Sequence, residues 1–227
     1  MILNERLSVY LSTLAATLPE FLEQIEKEAI RDHVPIIRKD MQNLLRFLLH
    51  SKNPDNVLEI GTAVGFSALL MRENIAPASK LTTIEKVPAR IQAARENFQR
   101  AGKSGAITLL EGDADSVLRQ LVKEQQQYDF IFMDAAKGQY MHFLSYIEKI
   151  LVPGGMLVTD NVLQDGMVIQ SRYAVTRRDR TIHKRMRQYL YTLTHDKKWE
   201  TVVLPVGDGA ALSLYRGSGE DTLQCLQ

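Results

Sequence analysis

The chain has 227 residues, 28 Lys and Arg against 27 Asp and Glu, and 45% hydrophobic residues. That length suits one sizeable domain, and the balanced composition excludes a histone-like, acidic or disordered protein, so any affinity for nucleic acid must be local. The only cysteine, Cys225, leaves no intrachain disulfide and no cysteine-based zinc site, so a reducing, cytoplasmic setting is expected.

The opening stretch MILNERLSVY brings Glu5 and Arg6 in early and lacks the pattern of a secretory signal. Apolar residues then recur at helical spacing over 3–18 and 19–30, and Pro19 suits the first position of the second helix. A third helix is predicted over 40–50, ending in the polar run SKNPDN. Residues 1–39 are accordingly expected to form a helical cap, 40–217 the main domain and 218–227 a tail. Apolar runs such as LLRFLL are broken by charge before reaching the roughly 18 residues of a membrane span, so no membrane association is expected.

From NVLEI onward strands and helices alternate. The strands are NVLEI, KLTTIE, AITLLEG, YDFIFMD and GGMLVTD, and the helices begin at Phe66, Pro88 and Asp113 or end at Ile150. Repeated βα units with near-continuous apolar strands predict an α/β fold: a doubly wound, mostly parallel sheet covered by helices on both faces. After a basic helical segment, ETVVLPV and AALSLY, joined through GDG, predict a closing antiparallel hairpin.

Ligands of open α/β sheets bind beyond the carboxyl ends of the strands, and here those ends are acidic: Glu59, Glu85, Asp113, Asp134 and Asp160. The first turn, EIGTAVGFS, lacks the G-x-G-x-x-G of a dinucleotide site. Glu59 would repel phosphates but suits a cationic ligand such as the ammonium and sulfonium of S-adenosylmethionine (SAM). Glu85 is placed to accept hydrogen bonds from ribose hydroxyls. The plainer alternative is that E-x-G makes a tight turn and Glu85 is a solvated strand end.

If the fourth and fifth strands are neighbours, Asp134, Asp160 and the carbonyl of Asn161 converge. A divalent cation such as Mg²⁺ would relieve the repulsion between the two acids, and oxygen ligands suit that hard ion. Alternatively, Asp160 caps the next segment and Asn161 makes a turn. Lys137, three residues beyond Asp134, could serve as a base beside such a site, or form an ordinary ion pair. The five histidines show no metal-ligand spacing.

Taken together, VLEIGTAVGFSALLM, TTIEKVPARIQAARENF, EGDA, YDFIFMDAAKGQY, PGGMLVTDNVL and LPVGDGAALSLYR resemble the cation-dependent, SAM-dependent O-methyltransferases that include catechol and caffeoyl-CoA O-methyltransferases. The resemblance implies a class I, Rossmann-like methyltransferase and a homodimer. It also implies metal binding by Asp134, Asp160 and Asn161, with Lys137 as catalytic base. Glu59, Gly61, Ser67, Glu85, Asp113 and Ala114 would contact SAM with Asp134 close by, and Ile37 would lie in the N-terminal segment covering it.

Within that family the chain looks most like the bacterial branch that methylates 5-hydroxyuridine at the tRNA wobble position. The feature nearest that branch is SRYAVTRRDRTIHKRMRQYL, whose residues 172–187 hold seven basic side chains against Asp179 alone. Arg172, Arg177, Arg178 and Arg180 are the candidates to meet RNA phosphates of the anticodon region. The same charges could instead form a solvated helix face. A small-phenol methyltransferase, a nucleotide-dependent oxidoreductase and a non-catalytic RNA-binding protein remain the rival readings.

Overall fold

The computed structural model describes residues 5–217. The expected tail 218–227 with Cys225, and the first two residues of the helix expected from residue 3, lie outside the described residues.

Three helices come first: α1 (Glu5–Thr13), α2 (Glu20–Arg31) and α3 (Lys39–Lys52). Pro19 sits one place earlier than expected, as the extended residue before α2 (ψ 144°), where its missing N–H costs nothing. Helix α2 buries Leu22, Ile25 and Ala29 on one stripe, and α3 stops at Asn53, whose left-handed backbone (φ 45°) returns its N–H to the Leu49 carbonyl. Alternation then follows: β1 (Asn56–Ile60), α4 (Phe66–Glu73), β2 (Lys80–Glu85), α5 (Pro88–Arg100), β3 (Thr108–Glu111), α6 (Ala114–Lys123), β4 (Tyr128–Met133), α7 (Tyr140–Ile150), β5 (Leu151–Thr159), α8 (Arg180–His195), β6 (Trp199–Leu204) and β7 (Ala210–Tyr215).

The seven strands run in the order β3-β2-β1-β4-β5-β7-β6. Strand β2 pairs in parallel with both β1 and β3, β4 pairs in parallel with β5, and β7 is antiparallel to β5 and β6. This is the expected α/β, Rossmann-like sheet with its closing hairpin. Val57, Leu58 and Ile60 of β1 and Phe130 to Met133 of β4 are all fully buried, as strands covered on both faces must be. The described residues form two compact units, one running to Val117 and the other starting at Leu118. Helices α1 and α2 belong to the first, packed on α3 and α4 respectively. No helix of the described residues is long and apolar enough to cross a membrane.

Differences from the expected elements are local. Strand β5 starts at Leu151, three residues before the glycines that suggested its beginning. Residues 172–179 are turns, and the basic helix begins only at Arg180. There the Thr176 hydroxyl bonds the Asp179 carboxylate (2.6 Å) and also accepts from the Asp179 N–H (3.4 Å), offering the backbone a local alternative to helix.

Candidate functional site

In the first unit, the turn after β1 is fixed from several sides. The N–H groups of Gly61 and Thr62 both donate to the Ile84 carbonyl at 3.1 Å. Gly65 lies in the left-handed region (φ 84°), and a Cβ there would stand 2.6 Å from the ring of Phe98, so only glycine lets α4 start against α5. Glu85 is buried rather than solvated: one oxygen accepts from Ala63 N–H (2.9 Å), the other from Lys86 and Val87 N–H (2.9 and 3.0 Å). A carboxylate offers about four acceptor positions. With three backbone donors attached, Glu85 keeps room for about one further strong hydrogen bond.

Glu59 is fully buried and accepts from the hydroxyls of Ser67 and Thr83, while Thr83 and Thr62 lie 2.5 Å apart. Glu59 and Ser67 are thus bonded to each other at the junction of β1 and α4. Asp113 is exposed and precedes Ala114, the first residue of α6; it accepts from Asp115 N–H (3.1 Å) and pairs with Lys86 (3.0 Å). The Lys86 hydrogen bond, and then that of Asp115, holds its carboxyl below the usual range. Ile37 is buried before α3, and its carbonyl accepts from the Gln42 side chain (2.9 Å).

In the second unit, β4 and β5 are neighbours with Met133 opposite Thr159, so Asp134 and Asp160 leave the sheet side by side. Asp160 N–H donates to the Met133 carbonyl (3.0 Å). Asn161, left-handed at φ 60°, donates its side-chain amide to Asp134 (3.1 Å) and its backbone N–H to the Asp160 carboxylate (2.7 Å). All three predicted metal residues are therefore together. Burial, and then the charge of Asp134, pushes the Asp160 carboxyl up to about 7. Burial also raises Asp134, against the pull of Lys137 and the Asn161 amide. Two desolvated acids and an amide suit a hard divalent cation. Among the described residues no group of three or more His, Cys, Asp or Glu is arranged to hold a metal, so the candidate set is these two carboxylates and one amide.

Lys137 opens a single 3-10 turn, and its Nζ lies 3.6 Å from the carboxylate of Asp208. Asp208 is the residue that sequence reasoning missed. Its motif, GDG, was visible but reads as a hairpin turn, for which no buried acid is needed. Beneath the pair of acids, the Tyr140 hydroxyl donates to the Asp160 carbonyl (3.2 Å), the Tyr140 and Tyr189 rings meet edge to face at 5.5 Å, and Tyr189 bonds Thr159 (2.6 Å).

The basic side chains of this segment differ in their partners, and Arg185 and Arg187 are exposed although they bond carbonyls. Arg180, Arg185 and Arg187 donate to the carbonyls of Val175 (3.3 Å), Gly138 and Val168 (both 2.8 Å). Arg172, Arg177, Arg178 and Lys184 are exposed, close in sequence to the exposed side chains of Ile169 and Tyr173.

A family model described as O-methyltransferase matches residues 12–216. Caffeoyl-CoA O-methyltransferase 1 of Eucalyptus globulus is 30% identical over 182 residues, 76% of this chain and 72% of its own. Catechol O-methyltransferase of Niastella koreensis is 33% identical over 126 residues, 55% of this chain and 57% of its own. Among solved structures, an SAH-bound methyltransferase of Podospora anserina has a TM-score of 0.81 at 26% identity, with 94% of this chain and 97% of that one covered.

Proposed function

Because the chain belongs to the O-methyltransferase family, we propose that it transfers a methyl group from SAM to a hydroxyl of 5-hydroxyuridine at the tRNA wobble position. The observation that carries the chemistry is the convergence of Asp134, Asp160 and Asn161 with Lys137 on the adjoining turn. Asp134, Asp160 and Asn161 would hold a divalent cation such as Mg²⁺; Ile37, Glu59, Gly61, Ser67, Glu85, Asp113 and Ala114 serve SAM binding, with Asp134 close to it. When bound, SAM supplies the methyl group and the cation supplies positive charge that favours the ionised form of a hydroxyl.

The residues of the chain do the rest. Lys137, in its neutral amine form, takes the acceptor's proton on its Nζ and becomes an ammonium. Glu59 and Ser67, bonded together, set the turn that presents the backbone of 61–65, and Glu85 receives a ribose hydroxyl. Rate enhancement comes mainly from positioning two reactants.

The acceptor reading rests on Arg172, Arg177 and Arg178, which add outward charge to a protein whose net charge is only +1. Single-stranded anticodon bases can be splayed outward and stacked on aromatic rings, and Tyr173 is 88% exposed within the same segment. Arg180, bonded to Val175, serves the segment's shape as well as its charge. A small catechol is the second reading, favoured by relatives named catechol and caffeoyl-CoA O-methyltransferases.

Replacing Arg172, Arg177 and Arg178 with alanine separates the two. The expected outcome is a raised KM for hydroxyuridine-containing tRNA with a flatter salt dependence, and an unchanged SAM Kd. Parent-like tRNA methylation by this variant at physiological salt, or a parent enzyme that ignores such tRNA and turns over catechols, would replace the tRNA reading with the catechol one.

A further inference from the structure

The loop between β6 and β7 carries Asp208, which is only 6% exposed although it sits in a hairpin turn. A turn asks for no such residue. Burying a carboxylate is costly unless each oxygen finds a partner, and here each does: one accepts from the Asp165 N–H and the other faces Lys137 Nζ at 3.6 Å.

The backbone of the same loop grips the segment that follows Asn161. Val162 N–H donates to the Gly209 carbonyl and Leu163 N–H to the Asp208 carbonyl, both at 2.9 Å. Gly209 is left-handed (φ 90°) and any Cβ there would collide with Leu163, so the two segments lie as close as backbones allow.

That gripped segment is conformationally costly. Asn161, Gln164 and Asp165 hold φ of 60°, 51° and 50°, and Gly166 follows at 83°. Non-glycine residues persist in such a run only where their surroundings over-determine them. Lys137, for its part, sits on a turn of three residues and carries a long side chain that is free to rotate unless something holds it.

We propose that Asp208 is a positioning residue for methyl transfer, its carboxylate fixing Lys137 on one side and the segment beyond Asp160 and Asn161 on the other. This rests on the reading of Lys137 as the base. The same negative charge stabilises the ammonium that Lys137 becomes when the acceptor's proton moves to its Nζ, much as the buried acid of a catalytic triad stabilises its imidazolium.

The experiment compares Asp208→Asn, which keeps the shape and can still accept from Asp165 N–H, with Asp208→Glu, which keeps the charge. Each is assayed with SAM, Mg²⁺ and either 3,4-dihydroxybenzoate or hydroxyuridine-containing tRNA, beside Lys137→Ala and the Lys137→Ala/Asp208→Asn double variant. Asp208→Asn is expected to lower kcat on the order of 10-fold with KM for SAM unchanged, and Asp208→Glu to recover part of the loss. In the Lys137→Ala background the same change is expected to alter kcat by less than about twofold, since the two residues act as one unit.

A parent-like kcat for Asp208→Asn, or losses that multiply in the double variant, would overturn the inference. Parent-like activity of Lys137→Ala alone would instead overturn the base assignment. A readout without turnover completes the test: acetylation of Lys137 by N-hydroxysuccinimide acetate, followed by peptide mass spectrometry. It is expected to quicken several-fold in Asp208→Asn, and an unchanged rate overturns the link between the two side chains.

Discussion

Asp160 faces opposing demands: it is 4% exposed, yet it adjoins a second acid. In metal-stripped protein its carboxyl, lifted from 3.8 to about 7, binds a proton more tightly folded than unfolded. Its contribution to stability is therefore full below the unfolded value and is lost as pH rises through the folded one. Chelated protein should lose thermal stability between about pH 4 and 7, and Mg²⁺ should restore it at pH 7. Asp160→Asn should flatten this pH dependence and abolish the restoration while still binding SAM. Scanning calorimetry with and without chelator checks both, and an identical profile for parent and variant would refute the assignment. For Glu85→Ala, lost charged hydrogen bonding should weaken SAM by about 1.5 to 3 kcal/mol, on the order of tenfold to a hundredfold in Kd. Titration calorimetry giving an unchanged Kd would place the ribose elsewhere.

At the scale of elements, α8 has one face that builds the site's floor and another that carries charge. Its buried face includes His183, Met186, Tyr189 and Leu193, and Tyr189 reaches Thr159 at the end of β5. Tyr189→Phe strands the Thr159 hydroxyl in a buried spot, at an expected cost of about 1 to 3 kcal/mol by urea unfolding; no measurable loss would mean the hydroxyl re-pairs. Such a floor was only partly legible in the sequence. NVLEI, KLTTIE and AALSLY mark β1, β2 and β7 to the residue, because a buried strand is written as a local apolar run bounded by polar residues. The two acids of the candidate metal set were legible for the same reason, since each stands where such a run stops. Asp208 was not, because what distinguishes it is a bond to a backbone 43 positions away. The left-handed run at 164–166 was also hidden: Asp165 and Gly166 tolerate such φ, but Gln164 is held there by its surroundings rather than by its own preference.

Over the whole molecule, charge is nearly balanced, so association must be driven by apolar surface rather than by net attraction. The first unit offers such a surface. Val9 and Tyr10 of α1, Leu14 just beyond it and Phe47 of α3 are between 60% and 68% exposed, and α1 packs on α3. Tyr10, near the end of α1, and Leu14, in the turn just after it, lie four residues apart. Covering a large apolar side chain is worth about 1.5 to 3 kcal/mol when it starts fully exposed. Tyr10, Leu14 and Phe47, counted on two copies and scaled to their exposure, give roughly 6 to 12 kcal/mol. That is of the same order as the estimated 4 to 15 kcal/mol cost of bringing two proteins together. These three side chains thus offset a large part of the cost of association, and further contacts across the face must supply the rest and the affinity. The expected species at micromolar concentration is therefore a homodimer, with twice the 25.8 kDa mass of one chain by light scattering. Tyr10→Glu with Leu14→Glu places a charge at two points of the covered face, and should return the protein to a single 25.8 kDa species with SAM affinity intact. A parent that scatters only as one chain, or a double variant that remains paired, would move the interface away from α1.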